Sequence, residues 1–433
     1  MRGRQVVVIG TGAVGAASAL EMLRAGHRVT LVDPAPPGGD QAASYGNAGW
    51  LSPHSVVPPA TPGAWKQVPH YLASRDGPVA VRWRDLPRLA PWLLAYLRAG
   101  STEARLRETA HAMRALLRDA PALHRDLAED AGVGELVERN GVLHLYPSRA
   151  DFEADALGWR LRRETGVDWL ELSRDELRQR EPSIGDLYHF GVLVEEGGRC
   201  LDPGAYVAAL VDRARRLGAE IVRTRATGFR FDGAGLAAVV TTDGEVAADA
   251  AVVAAGARSA ALARSAGDRV PLATERGYHV MVTNPGVEPR FAAMAMDRKM
   301  IVSPMATGLR AAGLVEFADV DAAPDWRRAD RLLAHLQAVV PGAVDAASAA
   351  GVQRWLGRRP SLPDGRPCIG HARRSRDVIY AFGHGHVGLA GSARTGRLVA
   401  QLVDGQPPEV ALEPFDPRRF APLGVANRAR AAA

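Results

Sequence analysis

Three glycines near the N-terminus have a spacing that suits one kind of binding chemistry. Gly10, Gly12 and Gly15 follow the apolar run 5–9, and an Ala-rich helical stretch comes next. The first glycine allows a tight turn, the second lets the backbone approach a pyrophosphate, and the third lets the helix pack closely on the strand. Asp33 lies at the end of a second apolar strand, where its carboxylate can accept a hydrogen bond from a ribose hydroxyl. The expected contacts of a dinucleotide are Gly10, Gly12, Ala13, Val14, Gly15 and Asp33.

A second strand–turn–helix pattern lies near the C-terminus. The apolar strand 377–382 runs into the glycine-rich turn 383–388, and a helix is predicted from about Ser392. The glycines let the backbone come close to a ligand, and a helix start near Gly388 would stabilise negative charge there. A nicotinamide enzyme has no need of this second element. A flavin enzyme does need it, because the flavin ring lies far from its own pyrophosphate and gains negative charge on reduction.

A third element completes the pattern. The strand 250–253 ends in a turn of small residues. Together the three elements predict a protein that binds FAD. The expected contacts from these two turns are Ala255, Gly256, Gly383, Gly385, His386, Val387 and Gly388.

Two histidines of the C-terminal turn have the side-chain type for proton transfer. His384 and His386 would lie beside the flavin, where an imidazole donates a hydrogen bond to substrate or ring, or helps to keep an amine neutral before hydride leaves. The alternative is that either histidine only shapes the turn.

Several further segments resemble the glycine/D-amino acid oxidase family of flavoenzymes, and within it the D-amino acid dehydrogenases. The similarity runs nearly from end to end. Residues 274–279 (TERGYH) with 383–386 (GHGH) also resemble the branch that oxidises D-proline-type imino acids such as cis-4-hydroxy-D-proline. The segments that carry the family resemblance are 44–49 (SYGNAG), 277–278 (GY), 357–367 (GRRPSLPDGRP), 369–370 (IG) and 383–385 (GHG).

The resemblance implies roles for several of these residues. Arg359 occupies the arginine position of the family's Gly-x-Arg-Pro segment and would bind the substrate carboxylate, which a planar guanidinium grips bidentately. Tyr278 would hydrogen-bond that carboxylate or close the pocket. Glu275 and Arg276 lie nearby, but nothing in the sequence separates them from surface charges. The residues expected to wrap FAD are Ser44, Asn47, Ala48, Gly49 and Ala226.

The expected fold class is α/β, with a Rossmann-like FAD-binding domain interleaved with a second α+β domain. The second domain would bind substrate and be built on an antiparallel or mixed sheet, as in D-amino acid oxidase. The nucleotide-binding elements are discontinuous along the chain, which an insertion of substrate-binding segments would produce. The segments predicted for FAD are 1–55, 199–268 and 359–433, and those predicted for substrate are 56–198 and 269–358.

Composition is that of a large enzyme with a sizeable core. The 433 residues carry a formal charge of +6, mainly from arginines scattered through helices. Two cysteines without metal-like spacing argue against a disulfide framework or a metal site and fit a cytoplasmic protein. No run approaches the ~20 apolar residues of a membrane span, so any membrane contact would be peripheral, at the inner face. No nucleic-acid motif is present, and homo- or hetero-oligomers are left open.

The sequence therefore predicts FAD-dependent oxidation of a small-molecule amino or imino acid, of D configuration, by hydride transfer from Cα to flavin N5. The imine would hydrolyse to a 2-oxo acid and ammonia, or persist if it is cyclic. Alternatives are an oxidase of N-methylated glycines, a nicotinamide dehydrogenase, and a flavoprotein subunit active only with a partner. The resemblance favours a dehydrogenase, with a quinone, a partner protein or oxygen left open as electron acceptor.

Overall fold

The computed structural model describes residues 3–58, 60–63, 65, 77, 79–233, 235–345 and 348–420. This range contains both helices and strands. The helices are α1 (Ala13–Arg24), α2 (Leu86–Ala99), α3 (Glu103–Leu117), α4 (Ala120–Ala131), α5 (Arg149–Ala154), α6 (Ala156–Glu164), α7 (Arg174–Arg180), α8 (Pro203–Arg216), α9 (Ser259–Ser265), α10 (Arg327–Val339) and α11 (Ser392–Asp404).

The strands fall into two large and two small sheets. In chain order they are β1 (Gln5–Ile9), β2 (Arg28–Val32), β3 (Trp50–Leu51), β4 (Val79–Val81), β5 (Val137–Glu138), β6 (Val142–Tyr146), β7 (Leu170–Leu172), β8 (Phe190–Val194), β9 (Gly198–Cys200), β10 (Glu220–Val222), β11 (Ala226–Asp232), β12 (Gly235–Thr241), β13 (Gly244–Ala247), β14 (Ala250–Val253), β15 (Ala273–Val282), β16 (Ala292–Ala295), β17 (Met300–Met305), β18 (Gly308–Phe317), β19 (Val352–Ser361), β20 (Cys368–His371) and β21 (Val378–Phe382).

The first large sheet has the order β10-β2-β1-β14-β21-β20 among the described strands. All neighbours are parallel except β20, which is antiparallel to β21. Its central strands are continuous apolar runs buried on both faces, as expected of a parallel sheet covered by helices. Because β1, β14 and β21 are adjacent and parallel, the three glycine-containing turns that follow them meet at one edge.

Helices α1 and α11 cover this sheet side by side. Their close packing depends on Gly396, where an added Cβ would lie 2.8 Å from the carbonyl carbon of Ala17. The contact holds the C-terminal turn next to the N-terminal glycine loop. The predicted helix start at about Ser392 is confirmed, because α11 begins at Ser392. A 3₁₀ turn at Gly385–Val387 precedes it, so Gly388 lies before the helix and not in its first turn.

The second large sheet is mixed and has the order β19-β15-β18-β17-β16-β6-β8-β7, with β4 paired to β18. Helix α10 and a continuous apolar cluster cover one of its faces. The two large sheets agree with the predicted α/β architecture. The predicted segment boundary between residues 358 and 359 falls inside β19, which pairs with β15 as far as Ser361. No described helix is long and apolar enough to cross a membrane.

Candidate functional site

The N-terminal loop has room for a ligand at one glycine only. Gly10 has φ +107°, and an added Cβ would lie 2.5 Å from the Ala254 carbonyl oxygen, whereas a Cβ at Gly15 would overlap the carbonyl oxygen of Gly10. A Cβ at Gly12 would meet only Ser44 Oγ, at 3.6 Å. Gly10 and Gly15 are therefore required by the protein's own packing, while the bare backbone at Gly12 faces open space.

The charge pattern of this loop fits a pyrophosphate and a ribose. No side chain caps the N-terminus of α1, and no acidic residue lies in its first turn, so its amides are available to an anion. Asp33 Oδ2 accepts hydrogen bonds from Thr11 N (2.8 Å) and Thr11 Oγ1 (3.0 Å), and Oδ1 accepts one from Ala35 N (2.9 Å). These bonds fix the carboxylate at the end of β2. The donor set fits the nucleotide part of FAD.

The segment 44–49 is clamped by the mixed sheet. Arg310 Nη1 donates to the carbonyl oxygens of Tyr45 (3.2 Å) and Asn47 (2.5 Å), and His279 Nδ1 donates to that of Gly46 (3.1 Å). Burial, assisted by the positive charge of Arg310, lowers the pKa of His279 to about 3, so the imidazole is neutral. Asn47 Oδ1 in turn accepts a bond from Gly49 N (2.9 Å). The segment is thus held against the mixed sheet.

The remaining predicted flavin contacts lie at or near the same edge of the parallel sheet. Ala255 and Gly256 follow one residue after the end of β14, and Gly256 has φ +54°. Gly383 (φ +88°) and Gly385 (φ +53°) follow β21, with Val387 and Gly388 in the same turn. Ala226 opens β11, four residues beyond β10.

His384 belongs to the framework of this turn. It is 3% exposed, and its Nε2 donates to Thr395 Oγ1 at 3.0 Å, while the Thr395 hydroxyl donates to the Gly391 carbonyl oxygen. Burial lowers the pKa of His384 to about 4. The structure therefore favours the alternative in which His384 shapes the turn and anchors it to α11, and it does not support His384 as a catalytic residue.

Arg359 lies on the face of β19 and β15 that carries His279. It is the direct cross-strand partner of Glu275, and its guanidinium occupies the space where a side chain at Gly277 would be. Its Nη1 is shielded from solvent and has no hydrogen-bond partner. Burial lowers the pKa of Arg359, and the opposing Glu275 limits the shift. A shielded guanidinium with a free donor is a ready site for a carboxylate.

Glu275 and His386 join the strand to the glycine-rich turn. Glu275 is 5% exposed and its Oε2 lies 2.6 Å from Nε2 of the partly exposed His386. Burial acts to raise the pKa of Glu275, but the pairing with His386 and the charge of Arg359 outweigh it, and the pKa falls below its ordinary value. Arg359, Glu275 and His386 therefore form one charged cluster beside the turn.

Tyr278 requires a correction. Strand alternation places it on the opposite face of β15 from Glu275 and Arg359, and it is 1% exposed against α10. Its hydroxyl donates to Glu316 (2.8 Å) and accepts from Asp325 N (2.9 Å). Because its single O–H is donated to Glu316, the hydroxyl has no donor left for a substrate carboxylate. Arg276, on the same face, is completely buried beside Glu316.

The residues that share the face of Arg359 were not predicted as site residues from the sequence. The sequence alone does not distinguish Glu275 from a surface charge. The available signal was the period of two along β15, which places Glu275, Gly277 and His279 on one face and Arg276 and Tyr278 on the other. What the sequence did not reveal was which face meets the ligand.

The comparisons with known proteins agree with this geometry. Residues 5–402 match the family model described as FAD dependent oxidoreductase, abbreviated DAO. A D-amino-acid oxidase of Bradyrhizobium diazoefficiens is 62% identical over 96% of this chain and 99% of its own length. A D-amino acid dehydrogenase of Paramagnetospirillum magneticum is 31% identical, with 96% and 99% covered.

Solved structures show the same fold at lower identity. The glycine oxidase of Geobacillus kaustophilus superimposes with a TM-score of 0.72 at 23% identity, covering 97% of this chain and 100% of its own. The L-proline dehydrogenase of P. horikoshii also gives a TM-score of 0.72, at 17% identity, with 97% and 98% covered. These likenesses confirm the predicted fold class.

Proposed function

Because the chain belongs to the DAO family of FAD-dependent oxidoreductases, we propose that it oxidises a D-amino acid at Cα, with Arg359 holding the substrate carboxylate. FAD is its cofactor, and when bound it supplies the hydride acceptor. The observation that carries the proposal is the shielded Arg359 guanidinium, whose Nη1 has no partner within the protein.

In this proposal, residues of the charged cluster orient the substrate and remove its proton. Arg359 fixes the carboxylate and so restricts the orientations that the Cα–H bond can take. The substrate ammonium must lose a proton before hydride leaves, since the nitrogen lone pair assists the departure. His386 is partly exposed and paired with Glu275, so it accepts that proton and returns it to solvent. His279 and Arg310 bind the backbone of the segment 44–49, which is expected to wrap FAD, and so fix its position.

The relative from Bradyrhizobium diazoefficiens, which is 62% identical in sequence, is named a D-amino-acid oxidase, and this supports D-amino acids as the substrate class. Cyclic imino acids of the D-proline type remain a prediction within it. That relative is named an oxidase and the 31% relative a dehydrogenase. We propose oxygen as the acceptor because the first relative is twice as similar, and the expected dehydrogenase activity stays a prediction.

The test is anaerobic bleaching of the protein-bound flavin by D- and L-amino acids, proline and hydroxyproline isomers, and sarcosine. Bleaching by D-amino acids alone supports the proposal, and reoxidation by air with release of hydrogen peroxide supports oxygen as acceptor. Bleaching by sarcosine or L-amino acids alone overturns the substrate assignment. A flavin spectrum that no amine bleaches would favour a subunit that acts only with a partner.

A further inference from the structure

The guanidinium expected to hold the substrate carboxylate already has a negative neighbour. Glu275 stands directly across the β15–β19 pair from Arg359, and both side chains lie on the same face of the sheet. Glu275 is 5% exposed, so little water screens it from whatever binds at Arg359. A carboxylate that enters this site is attracted by the charge of Arg359 and repelled by the charge of the buried Glu275.

Glu275 keeps its charge in this position. Its pKa is held below the ordinary value although burial acts to raise it, because His386 and Arg359 favour the ionised form. The contact with His386, at 2.6 Å, also fixes the direction of the carboxylate. The nearby imidazole of His279 is neutral, with a pKa lowered to about 3. Arg310, on the same face, is engaged by the carbonyl oxygens of Tyr45 and Asn47.

Carboxylates with and without an amine interact differently with Arg359 and Glu275. An amino acid brings a cationic amine with its carboxylate, and the attraction of that cation to Glu275 offsets the repulsion between the two carboxylates. A carboxylate without an amine brings no such compensation. The 2-oxo acid formed when an imine hydrolyses belongs to the second class.

We propose that Glu275 is a specificity-determining residue that makes the site select carboxylates bearing a cationic amine over carboxylates that lack one. The inference rests on the proposed function, in which the substrate carboxylate binds Arg359. It adds a reason for substrate to be preferred over the 2-oxo acid product. His386 positions Glu275 for this task, and its own charge when protonated offsets the repulsion.

The test measures ligand binding as well as turnover. Benzoate, an aromatic carboxylate without an amine, is titrated against the FAD-loaded protein and followed by the change in flavin absorbance. In Glu275→Gln we expect the dissociation constant for benzoate to fall by about tenfold or more, because the repulsion is removed. The concentration of D-amino acid that half-saturates anaerobic flavin reduction should rise in the same variant. If Glu275 had only a structural role, Glu275→Gln would bind both benzoate and the D-amino acid more weakly.

Two further variants keep the test decisive. Glu275→Asp retains the charge and should keep the weak binding of benzoate. His386→Gln removes the imidazole that contacts Glu275 and that offsets its charge when protonated, so this variant should bind benzoate more weakly than the unchanged protein. FAD content and thermal unfolding are measured for each variant, and if Glu275→Gln loses FAD, His386→Gln carries the test alone.

The outcomes separate this inference from the proposed function. If D-amino acids reduce the flavin but benzoate binds Glu275→Gln no more tightly than the unchanged protein, the inference fails and the proposed function stands. Tighter benzoate binding by His386→Gln, or no benzoate binding by any variant, also overturns the inference. If no D-amino acid reduces the bound flavin, the proposed function itself fails.

Discussion

The guanidinium of Arg359 lies in the space that a side chain at Gly277 would occupy. The two residues are on neighbouring strands, β19 and β15, and the absence of a side chain at Gly277 lets Arg359 lie flat over the sheet. A glycine inside a strand weakens it, and a close approach by another group is a common reason for its presence. Here the approaching group belongs to the protein's own candidate site.

The variant Gly277→Ala should therefore impair substrate binding without removing FAD. The added methyl group overlaps the flexible end of Arg359, which moves aside, while no backbone is displaced. We expect KM for the D-amino acid to rise by about tenfold or more. Gly233→Ala is the control, because a Cβ there meets nothing within 4 Å. An unchanged KM in Gly277→Ala would show that Arg359 need not lie in this position.

Removing the guanidinium itself should have a larger effect. Arg359→Ala removes the proposed carboxylate anchor, and we expect a loss of about 2–5 kcal/mol in substrate binding with FAD retained. The matched control is Arg358→Ala, since Arg358 points to the other face of β19 and donates to the Val320 carbonyl oxygen at 2.7 Å. Steady-state kinetics with a D-amino acid distinguishes the two variants. Equal effects of both would place the carboxylate elsewhere.

Two glycines of the N-terminal loop should respond differently to alanine. A Cβ at Gly12 has room in the protein, so Gly12→Ala should fold normally and lose FAD affinity only through contact with the pyrophosphate. A Cβ at Gly15 overlaps the Gly10 carbonyl oxygen, so Gly15→Ala should lower the thermal stability of the apoprotein itself. Flavin content and unfolding of the apoprotein are the two measurements. Full FAD retention in Gly12→Ala would contradict the assigned pyrophosphate position.

Tyr278→Phe tests the corrected role of this tyrosine. The substitution leaves the Asp325 amide without its acceptor and removes one donor to Glu316, which should cost about 1–3 kcal/mol of stability. Substrate affinity should change little, because the hydroxyl lies on the opposite face from Arg359. A large rise in KM with unchanged stability would restore Tyr278 to the substrate pocket.

The sequence predicted the parallel sheet better than the substrate pocket, and the reason is physical. Gly10, Gly12, Gly15 and Asp33 act through local backbone geometry, so their order along one βαβ unit is informative by itself. Glu275, Arg359 and His386 come from three separate segments, and their meeting depends on the register of β15 with β19. That register also decides that Glu275 lies on the face of Arg359 and that Tyr278 lies on the other face. A shift of one residue would reverse both.

His384 should make the protein less stable in mild acid. Its pKa is lowered by burial from 6.5 to about 4, so the unfolded chain binds a proton between these values more readily than the folded protein does. Its stabilising contribution is complete above pH 6.5 and is lost as the pH falls towards 4, by about 3 kcal/mol at most. The free energy of unfolding of His384→Gln should therefore fall less between pH 7 and about pH 5 than that of the unchanged protein. His189→Gln, at an exposed position, is the control for the loss of a histidine as such. An identical pH dependence in His384→Gln would show that His384 is not held neutral by the fold.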